Sequence, residues 1–213
     1  MIYILLSFVL ITLIDKCNQR YFFPKARWFA LHAAINFINI IGTQPALMHA
    51  LKDPIHLSTN INIFSHDLNS CYSIWPTTLT LMLHLYHILF FIARKEEIMH
   101  HILFVPFLTC NLSYEAKNLT IFFGSGLPGM ISYLCLTAKK YNLISYKQEK
   151  WISFLQNLLL RVPGLLFSAF SVFYSYFYAN HSSFYFVGFI CFLASMNGLY
   201  YLQQITGSYY LKT

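Results

Sequence analysis

Charge is what this 213-residue sequence has least of: Asp, Glu, Lys and Arg make up 10% of it, and only seven residues are acidic. A soluble domain carries roughly a quarter charged residues, so water cannot be the main solvent of this chain, and a mean hydropathy of +0.53 agrees. Paired cysteines are missing too. Cys17, Cys71, Cys110, Cys135 and Cys191 stand singly with no C-x-x-C pair, which gives no sign of a zinc ribbon or a disulfide framework and leaves them as small packing residues. Internal repeats, low-complexity tracts and long linkers are absent. A basic face on a soluble module is absent as well: the formal charge of +7 sits in short gaps between apolar runs, so nucleic acid is not an expected partner.

What is present is apolar length. Runs of bilayer-spanning or near-spanning size cover Met1–Ile14, Trp28–Leu51, Ser73–Ala93, Ile98–Leu112, Leu119–Thr137, Trp151–Tyr178 and Phe184–Gln203. They predict one all-α transmembrane bundle over residues 1–213, with about seven spans, the first within residues 1–15. The first run lacks a basic n-region, and Asp15-Lys16 follows where a cleavage site would need small residues, so it reads as a span rather than a secretory signal. The fourth is short enough to be tilted or re-entrant. With the amino terminus outside and the carboxyl terminus cytosolic, eleven of the fourteen Lys and Arg residues fall inside; Lys52 and Lys117 fall outside and Arg161 within a span. That asymmetry obeys the positive-inside rule. Sequons at Asn111, Asn118 and Asn180 fall at or near the outer loops, and the polar stretch from Lys52 to Tyr72 reads as a cap on that face.

Ionisable groups inside a span cost about 2.5–3.5 kcal/mol each on insertion scales, so those that occur usually face the bundle interior. In the second span His32, Asn36, Asn39 and Thr43 follow one helical stripe. His84 and His87 share a face of the third span, and the short Arg94-Lys95-Glu96-Glu97 turn leads to His100-His101 in the fourth. At about 1.5 Å of rise per residue, His87 lies roughly 10 Å and His101 roughly 6 Å from that turn, and Arg161 of the sixth span lies roughly 16 Å deep. Asn157, Arg161, Gly164 and Ser168 form another stripe, and Asn197, Tyr200, Tyr201 and Gln204 one more. The pattern predicts a polar, cytosol-facing cavity lined by His32, Asn36, His84, His87, His100, His101, Asn157, Arg161 and Asn197. Interhelical hydrogen bonding is the plainer role for the Asn and Thr residues. For Arg161, beside Pro163-Gly164, the natural partner is a phosphate or carboxylate. Gly124-Ser-Gly-Leu-Pro-Gly129 lacks the strand and the Lys-Ser/Thr of a phosphate loop, and predicts a broken or closely packed helix.

The stretch His84-x-x-His87, charged turn, His100-His101, together with Gly-Leu-Pro-Gly129, Glu149-Lys150 and Arg161-Val-Pro-Gly164, resembles TLC-domain proteins. That superfamily includes ceramide synthases, translocating-chain-associated membrane proteins and smaller lipid-regulating members. The likeness runs from about residue 28 to 204. It implies an endoplasmic-reticulum or related endomembrane protein of lipid metabolism, with membrane lipids as partners. By the same resemblance the pair His100 and His101 would be catalytic in acyl transfer with acyl-CoA the co-substrate; the cavity pattern adds His87 as a catalytic candidate and His84, Arg161, His32, Asn36, Asn157 and Asn197 as candidates for substrate binding. No resident cofactor or metal is expected, since iron histidine boxes need about eight ligands and fewer histidines gather here. The synthases carry acidic residues after the histidine pair, whereas Leu119–Thr137 has none. Non-catalytic lipid binding, sensing or trafficking therefore stands beside acyl transfer, as does a subunit role in a homo- or hetero-oligomer.

Overall fold

Backbone groups placed in hydrocarbon must bond within their own segment, so apolar runs of this length have the helix as their outlet. The computed structural model describes residues 2–57, 73–91, 95–110, 112–179 and 183–211, and among these every regular element is helical. In chain order they are α1 (Ile2–Cys17), α2 (Arg27–Lys52), α3 (Trp75–Phe90), α4 (Lys95–Thr109), α5 (Tyr114–Ile121), α6 (Leu127–Lys140), α7 (Tyr146–Gln156), α8 (Val162–Ala179) and α9 (Phe184–Leu211). A π-helical turn, Phe122–Gly126, joins α5 to α6 in one rod, and another, Asn157–Arg161, joins α7 to α8.

Four stretches are long and apolar enough to cross a bilayer: Ile2–Phe22, Tyr114–Lys140, Tyr146–Phe177 and Phe184–Tyr210. The chain is a helical membrane protein. The other three helices fall short of that measure for separate reasons. α3 and α4 have 16 and 15 residues, while the 26 residues of α2 carry the His32, Asn36, Asn39 and Thr43 stripe, all four buried.

Around the bundle α2, α3, α4, α9, α7–α8 and α6 touch in succession, and α1 packs outside against α3 and α2. Asp15 at the end of α1 is the joint. Its carboxylate accepts from Arg27 Nε at 2.7 Å, from Arg27 Nη2 and from the Tyr86 hydroxyl at 2.6 Å, tying three helices at one end. That end, with Arg20, Lys25, Arg27, Lys139, Lys140, Lys147 and Lys150, is the basic end. The opposite end is plugged. α5 enters there with every residue from Glu115 to Ile121 buried, against a cluster that includes Ala46, Phe107, Val172, Tyr176 and Ile190.

A helix buried on all sides is expected to be apolar, yet α5 reads YEAKNLTI. Three of its polar side chains find partners in the packing: His49 Nδ1 meets Glu115 Oε1 at 2.5 Å, Asn118 Nδ2 donates to Ser73 O at 3.0 Å, and Thr120 Oγ1 donates to Ala116 O at 3.1 Å. Ser113 caps the helix by accepting from Ala116 N. Two expectations are corrected here. The fifth span starts at Tyr114 rather than Leu119, and the Asn118 sequon, 1% exposed, cannot meet a glycosylating enzyme in the folded protein. Asn111, Asn180 and the proposed cap beyond Leu57 lie outside the described residues.

Candidate functional site

The helical ring encloses a cavity of about 320 Å³ that reaches the basic end at Glu149, Lys150 and Ser208. Its walls come from six helical rods. α2 contributes Trp28, His32 and Asn36, α3 His84 and His87, α4 His101, α6 Gly129 and Tyr133, and the α7–α8 rod Ser153 and Arg161, while α9 closes it with Tyr201 and Gln204.

Four imidazoles form a connected chain across this space. Ring centroids lie 5.9 Å apart for His32 and His87, 5.1 Å for His87 and His101, and 5.0 Å for His101 and His84. Trp28 caps the chain, its ring 3.8 Å from His32 and 3.9 Å from His87, and Tyr133 lies 4.6 Å from His32. Two of the rings are oriented by their own helices: His32 Nδ1 is 3.0 Å from Trp28 O and His84 Nδ1 2.7 Å from Thr80 O. A carbonyl can only accept, so in both rings Nδ1 carries the proton and Nε2 is the basic nitrogen. Among the described residues no group of three or more His, Cys, Asp or Glu has an arrangement able to hold a metal ion.

Beyond the histidines lies Arg161, 5% exposed. Its Nη1 donates to Asn157 Oδ1 at 2.8 Å, and Asn157 Nδ2 in turn donates to Ser153 O at 2.7 Å. The guanidinium stacks 4.6 Å from the Tyr201 ring. None of the described carboxylates pairs with it, and its buried Nε has no partner. Asp15 is taken by Arg27 and Tyr86, Glu115 by His49, and Glu149 by Ser153, Lys139 and Lys150. Asn36 approaches from α2: a Cβ on Gly129 would sit 2.6 Å from Asn36 Nδ2 and 3.9 Å from Arg161 Nη2. The missing side chain of Gly129 is what lets the two donors converge.

The two π-turns place these groups. Pro128 and Pro163 have no N–H to give and cannot continue an ordinary α-ladder; each follows its π-turn by two residues, and π-turns are a recurrent device at functional sites. The turns touch each other, and Gly129, three residues past the first of them, faces Arg161 of the other rod. This is the form taken by the closely packed helix expected at Gly124–Gly129.

Of the residues expected to line the cavity, the structure brings together His32, Asn36, His84, His87, His101 and Arg161. Asn157 is fully buried behind Arg161 and positions it, and Asn197 is fully buried on α9 away from the lining. The side chain of His100 lies outside the described residues. Of the Arg161 stripe, Gly164 and Ser168 serve packing, Ser168 Oγ donating to Gly164 O at 2.9 Å. Trp28, Ser132, Tyr133, Glu149, Lys150 and Ser153 are lining residues that sequence reading missed. Extending the Asn157–Arg161 stripe back by four and eight residues gives Ser153 and Glu149, a signal that was there to find.

Comparison with protein-family models, curated proteins and solved structures finds no match to this chain.

Proposed function

We propose that this is a multi-pass membrane protein of lipid metabolism, TLC-like in plan, with the chemistry of acyl transfer at the histidine chain. In this reading all seven helical rods cross the bilayer, the basic end is cytosolic and the amino terminus lumenal, in the endoplasmic reticulum or a related endomembrane. The outward faces support it: Phe37, Ile41, Met48 and Leu51 on α2 and Leu85, Ile88, Leu89 and Phe90 on α3 are exposed, as lipid contact requires, while their polar faces line the cavity.

The observation that carries the chemistry is the convergence of His32, His84, His87 and His101 on one cavity that also holds Arg161. A histidine takes the proton from a lipid amine or hydroxyl as that atom attacks the thioester carbon of an acyl-CoA. The carbon–sulfur bond then breaks, and the same histidine returns the proton to the departing thiolate. Asn36 and Arg161 are the donors available to an oxyanion, and Lys139 and Lys150 at the basic end suit the phosphates of CoA. A second reading, retention of a lipid without turnover, is favoured by one observation: backbone carbonyls rather than carboxylates orient His32 and His84, so no charge behind those rings strengthens them as bases.

Lipid mass spectrometry on the detergent-purified protein, given an acyl-CoA and candidate acceptors, separates the two. Acyl transfer is expected to yield a new acylated lipid in the wild type and none in His101→Ala. Co-purified lipid, no product, and loss of that lipid only in Arg161→Ala would replace it with the carrier or sensor reading.

A further inference from the structure

Arg161 sits where a transient charge alone does not account for it. A guanidinium stays protonated under all ordinary conditions, and a buried, uncompensated charge is among the most costly features a fold can keep. Here the neighbours are an amide oxygen and an aromatic ring: Asn157 holds one nitrogen at 2.8 Å and Tyr201 stacks at 4.6 Å. Neither supplies negative charge. Asn36, 2% exposed, lines the same cavity and has no hydrogen-bond partner of its own among the described residues. Its Nδ2 and Arg161 Nη2 flank the Cβ-less side of Gly129. Asn36 follows His32 by four residues, about 6 Å further along α2 from the basic end, so this pair of donors lies deeper than His32 and His87, at the level of His84, as the bond from Asn39 to Thr80 on the antiparallel α3 requires.

From this juxtaposition we infer that Arg161 and Asn36 form a resident oxyanion subsite, one helical turn below His32, that takes the permanent carboxylate or phosphate of the ligand. The inference rests on the reading of the cavity as a ligand site and deepens it: the ligand is anionic in its ground state, with its charge at Arg161 and its reacting or recognised group among the histidines. Two sources share this chemistry, the head of an anionic single-chain lipid and a free phosphate or carboxylate entering from the basic end. Salt-dependent affinity and discrimination against uncharged analogues follow from the same charge.

The test is equilibrium binding to the full chain in nonionic detergent, with oleate, oleoyl-lysophosphatidate, uncharged monoolein and inorganic phosphate as probes. Wild type is expected to bind an anionic probe at least tenfold more tightly than monoolein; Arg161→Gln loses that preference and Arg161→Lys recovers part of it. Should Arg161→Gln fail to fold, Asn36→Asp serves. It places a carboxylate within reach of Arg161 Nη2, satisfies the buried charge from within, and is expected to weaken anion binding by roughly tenfold or more. Binding by phosphate alone, or its competition with oleate, assigns the site to a free anion; binding of the amphiphiles only assigns it to a lipid head. Equal binding of oleate and monoolein overturns the inference, as does unchanged oleate affinity in folded Asn36→Asp. If Arg161→Gln keeps the anion affinity but loses turnover, Arg161 serves only the reaction's transient oxyanion: the inference falls and acyl transfer stands. Anion binding that is lost in Arg161→Gln with no turnover in the wild type gives the converse result.

Discussion

A glycine decides the geometry at the residue scale. Sequence alone sets Gly129 in a broken or closely packed helix without saying what packs against it, because a sequence shows nothing of what approaches from across a bundle. In the structure its value is a missing Cβ, 2.6 Å from Asn36 Nδ2. Gly129→Ala gains helix propensity but must push the Asn36 amide away from Arg161. We expect a thermal midpoint close to wild type, or destabilisation of about 1–3 kcal/mol from overpacking, together with loss of retained ligand comparable to Arg161→Ala. Melting followed by lipid mass spectrometry checks both. A variant that keeps its ligand would mean that the convergence of Asn36 and Arg161 does no work in binding. The histidines were legible for the opposite reason: an imidazole in an apolar run is costly on its own, so spacing and depth sufficed to group His32, His84, His87 and His101. Trp28 and Tyr133 were not, since aromatic residues are 19% of the chain and nothing in the sequence marks those two out.

Elements were legible wherever burial and hydropathy agree. Each apolar run became a helix in the expected order, but α5 was missed because its polar residues are buried by partners distant in the chain, His49 and Ser73. The π-turns that precede the prolines were half legible: Pro128 and Pro163 announced an interruption, and the structure answers with a widened turn in a continuous rod. That solution depends on Gly164. A Cβ there would sit 2.0 Å from Phe123 Cδ1 and within 2.7 Å of two other ring atoms, so Gly164→Ala forces the two rods apart or turns the ring out. The expected cost is about 1–3 kcal/mol or more. Phe123→Ala alone leaves a cavity, but in the double variant the methyl group enters the vacated space. A double-mutant cycle on thermal or denaturant stability should therefore show the two costs failing to add, by at least about 0.5 kcal/mol. Additive costs would show that the rods do not bear on each other at this point.

The arrangement of the whole molecule turns on charge. Lys and Arg gather at the end where the cavity opens, and the buried plug of α5 closes the other, so the proposed seven-span bundle with its basic end cytosolic is the arrangement that charge and access favour. Length argues the other way for α3 and α4, whose 16 and 15 residues span about 24 and 22 Å, short of a hydrocarbon core of about 30 Å. For these two to cross as proposed, the bilayer must thin locally or flanking residues reach to the interface, at a modest cost per ångström. Single cysteines placed in a cysteine-free background at Tyr21, Asp53, Phe91, Thr109 and Asn142 test each disputed helix separately, because α2 lies between the first two, α3 between the second and third, and α4 between the third and fourth. In sealed microsomes a membrane-impermeant thiol reagent is expected to label Tyr21, Phe91 and Asn142 from the cytosolic face, and Asp53 and Thr109 only after the vesicles are opened. Labelling of Asp53 together with Tyr21 would remove α2 from the bilayer and with it the cytosolic route to His32. Labelling of Phe91 only after opening would place His84 and His87 against the lumen, and a thioester donor confined to the cytosol could not reach them.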